Sequence, residues 1–183
     1  YIHGQYSGGQ NGKFRLNQAF NPNRTNPEHR FCNTRFEDLS SGIDFWYTQL
    51  FDVVIDNCEF NNVDQATKNI YTSSSNEGVT YITDSIITNV GEVQSRGGRY
   101  IYDNNDISHY ADFCSSSCPQ IAIRNSKLSH STQCVVFTEY EDDAEMMFYN
   151  NHISNCQDGI EIESSLSDVN LDAIYITGNT FMN

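Results

Sequence analysis

Seven segments of the chain align through their central columns, and this internal repeat constrains the fold more than any other feature. With Phe36, Phe60, Ile87, Ile107, Leu128, Ile153 and Phe181 as anchors, successive spacings are 24, 27, 20, 21, 25 and 28 residues. Five residues before the anchors stand Phe31, Ile55, Ile82, Tyr102, Ile123, Phe148 and Ile176, all large and apolar or aromatic. Three before stand Asn33, Asn57, Asp84, Asn104, Asn125, Asn150 and Gly178. Two before are the small or polar Thr34, Cys58, Ser85, Asn105, Ser126, Asn151 and Asn179. Two after come Asp38, Asn62, Asn89, His109, His130, Asn155 and Asn183.

Each unit therefore reads as a short alternating strand, a tight bend and a second short strand. Asn, Asp, Gly and Ser at the bend supply left-handed or side-chain-bonded backbone. A third strand follows at Gly42–Phe45, Asn69–Thr72, Cys134–Phe137 and Gly159–Ile162. Three short strands per coil, with spacing variation absorbed in loops, predict an all-β, parallel β-helix of about seven coils of 20–28 residues. Helical periodicity is weak, and the Leu columns of a leucine-rich repeat are missing. An antiparallel sandwich would not repeat one bend signature at the same point of each unit.

The recurring bend is written out in Ile55-Asp56-Asn57-Cys58-Glu59-Phe60-Asn61-Asn62 and in Phe148-Tyr149-Asn150-Asn151-His152-Ile153-Ser154-Asn155. It resembles the Asn-rich turns of the pectin-lyase-like superfamily of right-handed parallel β-helices. The resemblance covers residues 29–183 and carries no catalytic signature of one member. It implies an extracellular protein, secreted or on a virion surface, that binds polysaccharide and cleaves it as a lyase or glycoside hydrolase. A portion of a phage tailspike, with a homotrimer as its assembly, falls under the same resemblance. The competing class is a non-enzymatic structural or adhesive solenoid. The polar, turn-rich residues 1–28 fall out of register and read as an irregular leading segment. The last unit ends inside the repeat, so the solenoid is expected to continue in a longer chain or to be covered by a partner.

The net charge of −14 argues against nucleic acid and anionic membrane as partners, since only 10 Lys and Arg oppose 24 Asp and Glu. A neutral glycan raises no such difficulty, whereas an acidic one needs a local basic patch or a bridging cation.

Stacked coils place one column's residues about 4.8 Å apart, so functional groups should appear as columns. Before the bend, Asp103, Arg124 and Tyr149 fall on three consecutive coils; after it, so do Asp106, Lys127 and His152. The two columns border the bend and can border one groove. A lyase needs a base for a carbon acid and a cation against the uronate. Lys127, His152 or Arg124 can serve, and Asp103 or Asp106 can hold a metal such as Ca2+, although no cofactor is required. The plain alternative is a ladder of opposite charges that solvates the surface. Glu139 and Glu161 form a second candidate pair, for glycoside hydrolysis by two carboxylates, against an acidic solvated loop. Trp46, Tyr81, Tyr149 and Tyr175 are outward rings able to stack on sugars, and Tyr is equally an ordinary strand former. His109 and His130 share a column on adjacent coils; with no third ligand at metal spacing, turn stabilisation is the expected role. Of the six Cys, neighbouring-coil pairs Cys32–Cys58 and Cys134–Cys156 can close, as can Cys114–Cys118, and buried free thiols are the alternative.

Overall fold

The computed structural model describes residues 2–3, 13–17, 28–46, 52–69, 78–95, 99–114, 120–138, 144–163 and 171–183. Its strands in chain order are β1 (Ile2–His3), β2 (Lys13–Asn17), β3 (Glu28–Cys32), β4 (Arg35–Trp46), β5 (Asp52–Asp56), β6 (Glu59–Asn69), β7 (Val79–Thr83) and β8 (Ile86–Ser95). They continue as β9 (Arg99–Asp103), β10 (Asp106–Cys114), β11 (Gln120–Arg124), β12 (Lys127–Thr138), β13 (Ala144–Tyr149), β14 (His152–Glu163), β15 (Leu171–Thr177) and β16 (Thr180–Met182). The odd strands from β3 to β15 stack as one 7-stranded sheet. The even strands from β4 to β16 stack as a second sheet, in which β1 and β2 also pair with β4. Every pairing is parallel and joins a strand to its equivalent in the next unit. The chain is thus an all-β parallel solenoid. Among the described residues there is no helix long and apolar enough to cross a membrane.

The register reproduces the sequence columns. Phe36, Phe60, Ile87, Ile107, Leu128, Ile153 and Phe181 are successive partners in the second sheet. From Phe36 to Ile153 these anchors are buried, and Phe36 stacks face to face on Phe60 at 4.7 Å between ring centroids. Ile55, Ile82, Tyr102, Ile123 and Phe148 face them from the first sheet and fill the same core. In the last rung Ile174, Ile176 and Phe181 are exposed. Two of the described strands, β1 and β2, come from within residues 1–28 and pair with β4.

Both polar columns have a backbone cause. Asn33, Asn57, Asp84, Asn104, Asn125 and Asn150 take φ between 49° and 57°, and Gly178 takes 66°. Asp38, Asn62, Asn89, His109, His130 and Asn155 take φ between 54° and 56°. Left-handed backbone costs most side chains energy, and Asn, Asp and His tolerate it best outside Gly. The second corner only kinks the chain. The separate second and third strands expected from the sequence therefore form one ladder, as in the 12 residues of β12 and of β14.

Inside the first bend runs a buried polar ladder. The Cys58, Ser85, Asn105, Ser126 and Asn151 backbone N–H groups donate in turn to side-chain oxygens of Ser85, Asn105, Ser126, Asn151 and Asn179 at 2.9–3.1 Å. Each Asn amide also donates to a carbonyl of the first sheet at 2.8 Å: Asn105 to Ile82, Asn151 to Ile123 and Asn179 to Phe148. Polar side chains can lie here at almost no exposure because these partners satisfy them.

Cys134 and Cys156 form a disulfide between adjacent rungs, with Cα atoms 5.6 Å apart. Cys32 and Cys58 are free, and burial pushes the Cys58 thiol up. Cys114 is disulfide-bonded; Cys118 lies outside the described residues.

Candidate functional site

Alternation along the first sheet turns Val54, Tyr81, Ile101, Ala122, Met147 and Tyr175 outward as one column across successive rungs. Ala122 is the one methyl-sized member, between Ile101 and Met147, so the column dips there. Around it lies a depression of about 240 Å³, lined by Tyr81, Ile101, Ala122, Met147 and Tyr149. It reaches across β7, β9, β11 and β13, roughly 14 Å at the usual strand spacing. Along β11 it runs from Gln120 to Arg124, about 13 Å, so it is about as broad as it is long.

Both rims are hydrogen-bonded. On one, Arg99 Nε donates to Gln120 Oε1, and Gln120 Nε2 donates to Glu145 Oε2 at 3.0 Å. On the other, Arg124 Nε donates to Asp103 Oδ2 at 2.7 Å, and its Nη1 donates to the Tyr149 hydroxyl at 3.0 Å. Asn125 Nδ2 holds the second Asp103 oxygen at 2.8 Å. The hydrogen bond to Tyr149, with Asp103 behind it and against the effect of partial burial, raises the Arg124 guanidinium above its ordinary range. Arg124 is therefore a fixed cation, suited to clamp an oxygen ligand and unsuited to accept a proton. Two of the chain's ten basic residues thus rim one pocket, each in a hydrogen-bonded chain that also holds a carboxylate, Asp103 on one rim and Glu145 on the other.

The sequence candidates divide. Asp103, Arg124, Tyr149 and Tyr81 come together at this depression, and Tyr175 lies exposed in the next rung, register partner of Met147. Asp106, Lys127 and His152 do occupy successive register positions, on the far side of the bend in the second sheet. Among the described residues no hydrogen bond or ion pair joins those three. Glu161 has Val136 as its register partner and accepts from Gln133 Nε2 at 2.8 Å. Glu139 and the Trp46 side chain lie outside the described residues.

Asp103 has both carboxylate oxygens engaged by Arg124 and Asn125, and no group of three or more His, Cys, Asp and Glu gathers as metal ligands among the described residues. Sequence reasoning passed over Arg99, Gln120, Ile101, Ala122 and Met147. Reading the column six residues before each anchor would have found the dip, because Ala122 is small among large neighbours.

Fold and site together define a parallel β-solenoid with an aromatic, arginine-rimmed depression on one face. No protein-family model, curated protein or solved structure matches the chain.

Proposed function

We propose that the outer face of the first sheet binds a polysaccharide, in an extracellular setting. The observation that carries this reading is the depression itself. Tyr81 and Tyr149 line it with the apolar Ile101 and Ala122, and Arg99 and Arg124 bring hydrogen-bonding guanidinium groups to its edges. Sugar rings present apolar C–H faces and equatorial hydroxyls, and the two demands are met by burial against tyrosine and by guanidinium donors. The Cys134–Cys156 disulfide supports an oxidising compartment. The resemblance of the bends to pectin-lyase-like turns supports the same ligand class.

Cleavage is a further step. A lyase reaction breaks a C–H bond and the glycosidic C–O bond, so it needs a base for the proton and an acid for the departing oxygen, and Arg124 is suited only to supply positive charge against the carboxylate. A purely structural or adhesive solenoid is the competing reading, and binding without cleavage is its outcome.

The test is a titration of purified protein against a panel of neutral and acidic polysaccharides, with unsaturated products and reducing ends both followed. Tyr149→Ala and Tyr81→Ala should each weaken binding about tenfold, equivalent to about 1.4 kcal/mol, with little change in Tm. Affinity unchanged in both variants would remove the depression as the site.

A further inference from the structure

The second corner column carries Asp38, Asn62, Asn89 and Asn155, but His109 and His130 on two adjacent rungs. All six residues have the same left-handed backbone, so the fold does not itself require imidazole there. Their rings lie face to face, 4.6 Å between centroids and 6° from parallel, and both residues are exposed. The Ser129 hydroxyl sits 3.0 Å from His130 Nδ1, which engages that nitrogen and leaves Nε2 as the ring's other donor atom. We propose that His109 and His130 form a two-imidazole site for a divalent transition ion of the zinc, nickel or copper kind, separate from the glycan face.

Coordination requires the stack to open. Metal–imidazole bonds of about 2.0–2.1 Å at a tetrahedral angle place two ligand nitrogens roughly 3.3 Å apart. A metal lies in the plane of each imidazole it binds, so the two parallel rings must turn out of their stack until their nitrogens converge, which exposed side chains achieve by rotation about χ1 and χ2. The parallel ladder holds the backbone leading into the corner: Ser108 is registered with Ser129, and Ser129 with Ser154. Water completes the coordination, so the site is open and exchangeable. Imidazole nitrogen selects these ions over Ca2+ and Mg2+, which favour oxygen.

The test titrates zinc chloride into the protein in a Cys32→Ser background, which removes the exposed free thiol as a competing ligand. Calorimetry gives affinity and stoichiometry, and NMR follows the His109 and His130 ring protons. His109→Asn and His130→Asn reproduce the residue that Asn89 and Asn155 already place at this φ, so both variants keep the corner. One Zn2+ should bind per chain and raise Tm by mass action. Each variant should lose at least tenfold in affinity, and Ca2+ should give no saturable heat. Zinc binding of equal strength in both variants, a loss in only one of them, or no saturable binding would each overturn the site and leave a ring stack alone.

Discussion

Two columns flank the first bend with the same pattern of acid, base and ring on the same three rungs: Asp103, Arg124 and Tyr149 before it, Asp106, Lys127 and His152 after it. By sequence they are equivalent. In the fold the first is a hydrogen-bonded relay beside a depression, and among the described residues no bond joins the members of the second. Side-chain shape accounts for the difference. The Arg124 fork has donors on two sides and reaches the rung before and the rung after at once, whereas a lysine is one charge on a flexible stem. Surroundings add to it, since Asp103 and Tyr149 are half-buried while Asp106 and Lys127 are exposed. Register provides adjacency; a forked donor and partial burial convert adjacency into a fixed site.

The largest blow to this contrast falls on the bend that separates the columns. Asn151 accepts from the Ser126 N–H at 3.0 Å and donates to the Ile123 carbonyl at 2.8 Å, almost wholly buried. Asn151→Leu leaves that buried N–H without its acceptor, at a cost of about 2–4 kcal/mol. Chemical denaturation should show the loss as a lower midpoint at constant slope. A variant as stable as the parent would mean that the ladder is not what positions the two columns.

Next in size is a paired substitution across the bend. Arg124→Met removes the donor to Asp103 and Tyr149 while keeping the aliphatic stem, and it should lower polysaccharide affinity about tenfold, or about 1.4 kcal/mol. Its stability cost should stay below about 1 kcal/mol, because the Arg124–Asp103 pair is partly solvated. Lys127→Met should change neither quantity measurably. Equal losses from both substitutions would erase the distinction between the columns and restore the single groove expected from sequence.

The legibility of the chain follows the same division. Stacking was readable because identical backbone demands recur in every rung: positive φ selects Asn, Asp, His or Gly, and the inward positions select bulk. The continuation of the second strand into the third was less so, since an Asn corner that kinks a ladder and an Asn turn that ends one use the same residue. The depression was hidden because its signal is a missing volume at Ala122 and not a reactive side chain. Charged columns drew attention by their chemistry, yet sequence spacing alone cannot say that Arg124 reaches two rungs while Lys127 reaches none.

The smallest effect extends the contrast to a third outward column, where two carboxylates stand in register with no cation between them. Glu92 is the partner of Asp112, and Gln65 donates to Glu92 at 2.9 Å. Partial burial first, and then the Glu92 charge, push the Asp112 carboxyl above its ordinary range. The folded state thus holds this proton more tightly than the unfolded chain. The resulting contribution is fully present below the unfolded carboxylate pKa, about 3.9, and is lost as pH rises through the raised folded value. At neutral pH the ionised pair opposes folding, so Asp112→Asn should raise stability slightly, by no more than about 0.5 kcal/mol given solvent screening at so exposed a position. Melting curves from pH 3.5 to 7 should show the parent losing more stability than the variant as pH rises across the titration of Asp112. Parallel curves would mean that like charges one rung apart are as indifferent to each other here as the unlinked members of the Asp106 column.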